Sequence, residues 1–276
     1  MNPLLRLLNH AAASFNDLSL WKGNCRVWDL KLTSPGFERW LYLRAHRCGL
    51  MGRKDRHHLA QWIRPGMRVL DVGSNVGLYS VLMGSLVGTR GRVICFEPDP
   101  VLFQAFRRNC AQNGVDWIEG HNCALGARSA RISLHQKITN SGDNHLGRPQ
   151  DRLFRRTIEV DLVALDTFLP GLEVDFIKID IQGWELEALR GMQQTLAAQP
   201  AVTVYFEFFP AAYQRSGTTW RELVDFLRAS GFQISDPNTG HELTDDNLAR
   251  LVDSMKGMKY TNLLARRDRA TRQTSS

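Results

Sequence analysis

Residues 68–77 read Arg-Val-Leu-Asp-Val-Gly-Ser-Asn-Val-Gly, and this stretch decides the fold. The short apolar run 68–72 is typical of a strand buried in a parallel sheet. Gly73 and Gly77 permit a tight turn, and the apolar residues at about 76–86 predict a helix. A turn of this kind, from strand to helix, offers free backbone N–H groups to a ligand.

The same alternation of strands and helices continues along the chain. The sequence predicts strands at 92–97, 116–122, 174–180, 201–208, 232–235 and 261–266, with helices at 98–113, 184–197 and 219–230 between them. Two further strands, 130–137 and 157–163, alternate apolar and polar residues and flank a polar loop at 139–150. The pattern predicts an α/β protein whose mostly parallel sheet is covered by helices on both faces.

The glycine loop favours a ligand with a cationic group. Its spacing, Asp71-x-Gly73-x-Asn75-x-Gly77, differs from the Gly-x-Gly-x-x-Gly of dinucleotide-binding proteins. Asp71 would repel a pyrophosphate but suits an amino group such as that of the methionine part of S-adenosylmethionine. A nicotinamide-dependent oxidoreductase is therefore a less favoured alternative. Glu97 ends the next strand, where a carboxylate can accept hydrogen bonds from both hydroxyls of a ribose.

Two acids follow later strands of the predicted sheet. Asp180 ends the strand at 174–180, and Glu207 lies near the end of the strand at 201–208. Ligands of open parallel sheets bind beyond the carboxyl ends of the strands, so both acids are candidate general bases. His145 is a third candidate, since we expect the 139–150 loop to cover the crevice as a lid. Two acids are too few to define a metal site, and we predict none.

Four segments together resemble the FkbM family of S-adenosylmethionine-dependent methyltransferases. They are 69–77, 96–100, 122–126 and 177–185, and the resemblance extends over residues 65–235. The chain departs from the family pattern at Gln182 and Trp184, where members more often carry Glu and Ala. Because residue 182 is Gln, any role of an acid at this position in the family is not carried over to this chain.

The resemblance implies a Rossmann-like class I methyltransferase fold with seven strands, of which the last is antiparallel. It implies S-adenosylmethionine as the cofactor and O-methylation of a hydroxyl on a sugar, polyketide or related small molecule. The implied cofactor site surrounds the methionine part, the ribose and the adenine, and Asp180 lines the side of methyl transfer. Its residues are Asp71, Gly73, Asn75, Val76, Gly77, Glu97, Pro98, Asn122, Ala124, Leu125 and Asp180.

The 276 residues divide into three predicted parts. Residues 1–60 form a mostly helical N-terminal extension, 61–267 the methyltransferase domain, and 268–276 a disordered tail. We expect the substrate pocket to be formed by the extension, the 139–150 loop and the segment Tyr213–Trp220. The five cysteines include no Cys-x-x-Cys pair, which disfavours a disulfide framework or a zinc site.

The net charge of +7 raises the alternative of an RNA or other nucleic-acid methyltransferase. The basic clusters lack the interleaved aromatic residues that stack on bases, and Asp180-Ile181-Gln182-Gly183 differs from the Asn/Asp-Pro-Pro-aromatic loop usual in methylation of base amino groups. A binding protein without catalytic activity is a third alternative. We expect a small hydroxylated acceptor, including an acidic or carrier-bound one, and leave a homodimer open. The apolar runs are too short for a membrane span, and we predict a cytoplasmic protein.

Overall fold

The computed structural model describes residues 23–137, 141–147, 154–255 and 259–267. The predicted tail at 268–276 and the first 22 residues lie outside this part of the chain. Thirteen strands lie within the described residues: β1 Gly23–Val27, β2 Leu30–Ser34, β3 Arg68–Val72, β4 Arg92–Phe96, β5 Ile118–His121, β6 Ala124–Leu125, β7 Ala130–Lys137, β8 His145–Leu146, β9 Phe154–Val163, β10 Phe176–Ile179, β11 Thr203–Phe208, β12 Gln233–Ser235 and β13 Thr261–Arg266.

Nine α-helices lie within the same described ranges: α1 Phe37–Arg47, α2 Arg53–Trp62, α3 Leu78–Val87, α4 Pro100–Gln112, α5 Leu165–Phe168, α6 Glu185–Arg190, α7 Gln193–Ala198, α8 Trp220–Ala229 and α9 Asp245–Ser254. Single 3₁₀ turns occupy Ser141–Asp143 and Tyr213–Arg215. Within the described residues, no helix is both long enough and apolar enough to cross a bilayer.

A seven-stranded sheet forms the centre of the molecule, in the order β12-β13-β11-β10-β3-β4-β5. β3 pairs in parallel with β4 and β10, whereas β13 runs antiparallel to both β11 and β12. The predicted seven-stranded, mostly parallel α/β fold with an antiparallel last strand is confirmed. Chain order reverses between β3 and β10, and this is the position where open α/β sheets bind ligands.

Apolar side chains cover both faces of this sheet, as expected for parallel strands buried under helices. Alternating β3 residues point to opposite faces, so that Leu70 and Val72 join one apolar cluster and Val69 joins the other. The helix that follows β4 begins as its sequence indicates: Asp99 accepts hydrogen bonds from Val101 N and Leu102 N, with Pro100 in the first turn. These elements place the ends of β3 and β4 rigidly beside each other.

A second sheet of four strands, β6-β9-β7-β8, is inserted between β5 and β10. It contains the two half-exposed strands that the sequence predicts, β7 and β9, paired antiparallel. The prediction of a polar lid loop at 139–150 is wrong for its central part. His145 and Leu146 form β8, which pairs with β7 through His135 and Leu134, because Leu146 packs in the apolar cluster of this sheet.

The N-terminal extension contains a β-hairpin as well as helices. The strands β1 and β2 pair across a turn at Trp28 and Asp29, both with positive φ, and α1 and α2 follow. Apolar side chains of the hairpin and of both helices, among them Val27, Leu43 and Leu59, belong to the same cluster as Val69 of β3. The described part of the extension therefore packs directly on the central sheet.

Two helices differ from the sequence prediction. The helix predicted at 184–197 is divided in two, α6 and α7, at Gly191 and Met192. A Cβ on Gly191 would lie 2.0 Å from Gly126 O, so a residue with a side chain could not occupy this close contact. The sequence prediction contains no counterpart of α9, although Thr244 and Asn247 form a capping box at its start.

Candidate cofactor and acceptor site

A cavity of about 370 Å³ opens at the carboxyl ends of the central strands. This volume lies in the range of small-molecule sites. Its walls combine the loop after β3, the ends of β4, β10 and β11, the β7–β8 region, and the N-terminal extension. The cavity lies at the reversal of strand order, where the fold predicts a ligand.

The glycine loop approaches the loop after β10 closely. Gly73 has φ +89°, and a Cβ on it would lie only 2.1 Å from Asp180 O. Its N–H and that of Ser74 donate to Phe96 O at 2.9 and 3.1 Å, which ties the loop to β4. Gly73, Asn75 and Val76 line the cavity. Gly77 does not; with φ +85° it precedes α3 and packs on Phe106.

Glu97 joins the end of β4 to the glycine loop. Its carboxylate accepts a hydrogen bond from Asn75 N at 2.7 Å and another from Asp99 N at 2.9 Å. Burial raises the pKa of Glu97 to about 8. Glu97 and Pro98 line the cavity, whereas Asn122 does not: its side chain donates to the backbone oxygens of both residues. Ala124 and Leu125 contribute an apolar part of the wall.

Asp71 lies beneath the cavity and not on its wall. It is fully buried, and it accepts a hydrogen bond from Ser80 Oγ at 2.6 Å. Its other oxygen lies 3.6 Å from Nζ of Lys178. Burial raises the pKa of Asp71, and the ammonium of Lys178 opposes this effect. The structure therefore does not support direct contact between Asp71 and a ligand, because its charge is used inside the protein to hold Lys178.

Lys178 is a cavity residue to which the sequence analysis assigns no role. It lies in the middle of β10, only 4% exposed, with Nζ 3.5 Å from Asp180 Oδ2. Burial favours the neutral amine, but the carboxylates of Asp180 and Asp71 outweigh burial and raise the pKa of Lys178. The signal in the sequence is a lysine inside an otherwise apolar strand, which requires a buried partner.

The candidate bases Asp180 and Glu207 are linked by one side chain. Gln182 Nε2 donates to Asp180 Oδ1 at 3.1 Å and to Glu207 Oε2 at 2.7 Å. Burial, followed by repulsion from Asp180, raises the pKa of Glu207 well above its ordinary range. Gln182 adopts φ +56°, a conformation that places its amide between the two carboxyl groups.

His145 also lines the cavity, from β8 and not from a mobile loop. It is 2% exposed, and Nδ1 lies 2.9 Å from Asp143 O. Burial and the neighbouring Arg215 lower the pKa of His145 to about 4. Asp143 itself lies between the cations of Lys137 and Arg215, at 2.9 and 2.7 Å. All three candidate catalytic residues thus line the same cavity.

The extension supplies a carboxylate that the sequence analysis did not identify. Asp55 of α2 accepts hydrogen bonds from Tyr79 at 3.1 Å, from Tyr205 at 2.8 Å and from Asn262 Nδ2 at 2.7 Å. All four residues line the cavity. No spacing in the sequence connects them, because they come from α2, α3, β11 and β13.

The extension and the 142–146 segment line the cavity, as the predicted substrate pocket requires, but the segment Tyr213–Trp220 does not. Tyr213 is fully buried and donates to Glu207 O at 3.2 Å. Within the described residues, no group of three or more His, Cys, Asp or Glu side chains is arranged to hold a metal ion.

The fold and this cavity define a class I methyltransferase domain, whose cofactor is S-adenosylmethionine. Three observations fit that molecule. Gly73, without a Cβ, lets the glycine loop lie directly against Asp180 O, Glu97 places a carboxyl group on the wall, and Ser74 Oγ lies on the wall without a hydrogen-bond partner among the described residues. Binding would give this hydroxyl a partner.

The model of the Methyltransferase FkbM domain matches residues 71–234, and the chain belongs to this family. Methyltransferase 1 of Beauveria bassiana is 28% identical over 144 residues, which cover 45% of this chain and 57% of that protein. The hexuronic acid methyltransferase AglP of Haloferax volcanii is 27% identical over 134 residues, which cover 49% of this chain and 53% of AglP. The chain thus matches little more than half the length of these relatives.

Among solved structures, a TehB-like methyltransferase from Corynebacterium glutamicum aligns with a TM-score of 0.46 and 10% identity. The alignment covers 84% of this chain and 95% of that one.

Proposed function

We propose that this chain is an S-adenosylmethionine-dependent methyltransferase that methylates a hydroxyl oxygen of a small molecule. The observation that supports this most is the position of Asp180, held between Lys178 and Gln182 on the same cavity as Gly73 and Glu97. A base and a nucleotide-type site thus share one cavity. The relative named as a hexuronic acid methyltransferase supports a sugar-like acceptor.

The cofactor, when bound, supplies an electrophilic methyl group on a sulfonium. Glu97 would hold its ribose, and the wall at Ala124 and Leu125 would contact its adenine. The backbone at Gly73 and Asn75 would lie against its methionine part. Asp71 would contribute indirectly, by fixing Lys178 beneath this site.

Asp180 is the residue that we assign as general base. Glu207 is only 3% exposed, and burial raises its pKa, which disfavours the charged form; His145 is a poor base, because its pKa is lowered to about 4. Asp180 is partly exposed to the cavity, with a side-chain accessibility of 36%, and one of its oxygens lies 3.5 Å from Nζ of Lys178, which holds the side chain in place. It would take the proton that the acceptor hydroxyl loses as its oxygen gains the methyl group.

Isothermal titration with S-adenosylhomocysteine, followed by assays with radiolabelled S-adenosylmethionine and a panel of hydroxylated acceptors, tests the proposal. Asp180→Asn should leave the affinity for S-adenosylhomocysteine within about threefold and reduce turnover by about 10²–10⁴-fold, the contribution of a general base. Glu207→Gln is the matched control, since it changes a neighbouring carboxyl group whose charged form is disfavoured by burial and to which we assign no role as a base. Failure to bind S-adenosylhomocysteine at millimolar concentration would contradict the proposed function.

A further inference from the structure

Two large apolar side chains are exposed at the mouth of the cavity. Leu50, in the turn after α1, is 56% exposed, and Tyr260, just before β13, is 52% exposed. Both line the cavity, and Met51 lies beside them. Only two other large apolar side chains are comparably exposed among the described residues, Val101 and Phe168. Single exposed apolar residues are ordinary. Exposed apolar residues from distant segments that line the opening of one cavity mark a binding surface.

The inner wall next to this mouth is polar and held in place. Asp55 is fixed by Tyr79, Tyr205 and Asn262, which belong to three different elements. A carboxylate oxygen can accept two hydrogen bonds, and Asp55 Oδ2 accepts one, from Tyr79. Asp55 can therefore accept a further hydrogen bond from a hydroxyl in the cavity. A half-buried acceptor held in such a fixed position favours a ligand with a donor at that point.

The polar inner wall and the apolar mouth belong to one continuous cavity. We infer that the methyl acceptor is an amphipathic alcohol, with a hydroxylated head against Asp55 and an apolar body resting on Leu50 and Tyr260. This inference rests on the proposed function, because it assigns the acceptor of that same site. Leu50 and Tyr260 are then residues that determine specificity.

The size of the apolar surface argues for a ligand and against a protein partner. A stable protein interface buries about 800 Å² on each side, whereas among the described residues this mouth offers Leu50, Met51 and Tyr260. An alkyl or ring substituent of a small molecule matches that area. Each methylene group that it buries adds to affinity, so the length of the apolar body should be measurable in binding.

The test compares two probes that share a head and differ in their apolar body. Methyl β-glucoside and octyl β-glucoside, the latter below its micelle-forming concentration, are titrated into protein saturated with S-adenosylhomocysteine. We expect the octyl compound to bind at least tenfold more tightly, or about 1.4 kcal/mol. Leu50→Ser and Tyr260→Ser should each reduce that preference severalfold, and Asp55→Asn should weaken both probes equally.

Val101→Ser is the matched control, because Val101 is 54% exposed on α4 and does not line the cavity. It should leave the preference unchanged. The inference is overturned if the two glucosides bind equally, if neither binds, or if the octyl preference survives in both mouth variants. A variant that keeps its thermal shift with S-adenosylhomocysteine has retained its fold and cofactor site, so this failure differs from failure of the proposed function.

Discussion

The two halves of the cavity are built in different ways. The cofactor half consists of the loop after β3 and the end of β4, where backbone groups and one carboxylate within 30 residues of each other define the wall. The acceptor half consists of side chains from α2, α3, β11 and β13, brought together only by packing. The difference teaches that a nucleotide-type site can be recognised in a linear motif, whereas acceptor recognition is a property of the assembled fold.

Lys178 lies at the boundary of the two halves, and its removal should have the largest effect. Lys178→Met should lower the free energy of unfolding by about 3–5 kcal/mol, because Asp71 would remain buried without its cation. Denaturant unfolding monitored by circular dichroism measures this. Adding Asp71→Asn should restore part of the loss.

Arg131→Met provides the matched control for that experiment, because Arg131 pairs with Asp161 on the surface, where both side chains are about two-thirds exposed. We expect a change within about 1 kcal/mol. An unfolding free energy of Lys178→Met equal to that of Arg131→Met would show that the boundary is not held by this ion pair.

Gly73→Ala should affect the cofactor half more than the acceptor half. The positive φ costs about 1–3 kcal/mol for a residue with a side chain, and the new Cβ would collide with Asp180 O. Affinity for S-adenosylhomocysteine should fall at least tenfold, as measured by isothermal titration. Gly66→Ala has a similar φ of +85° with open space around it, so it should lose stability but keep its affinity. Equal affinities in the two variants would refute the close approach as a determinant of binding.

The smallest effect concerns protonation of the cofactor half. Glu97 has a pKa of about 8, so its ionised form, which accepts from both ribose hydroxyls, increases up to that pH. Affinity for 5′-methylthioadenosine, which has the ribose but no amino-acid part, should rise by about fivefold in all as the pH approaches 8 and then level off, because hydrogen bonds to an ionised carboxylate are stronger than those to the neutral acid. Glu97→Gln should give a flat profile. A wild-type affinity independent of pH would contradict the ribose assignment.

Folding stability depends on pH in the opposite direction to the affinity for the ligand. Because the folded state raises the pKa of Glu97 above its ordinary 4.5, the folded protein retains a proton that the unfolded chain has lost. The contribution of Glu97 to stability is therefore full below pH 4.5, falls as the pH rises to about 8, and is constant above it.

The sequence predicts those elements whose patterns lie in consecutive residues. β13 lies at Thr261–Arg266, as predicted, and the acids at the ends of β4, β10 and β11 meet on one cavity because parallel strands end at the same edge. It did not predict β8, since pairing with β7 and burial of Leu146 override a polar sequence. Asp55 could not be found either, because its partners depend on how the extension packs on the sheet.

The position of β13 has a consequence for the order in which the protein is completed. This strand inserts between β11 and β12, and its Asn262 reaches Asp55 across 207 positions of the sequence. A nascent chain therefore forms the nucleotide half of the cavity from segments already synthesised, but the acceptor wall only once β13 has emerged and entered the sheet. Contacts of such long range are slow to form, because a long loop must close first, so the proposed acceptor wall depends on contacts that form slowly.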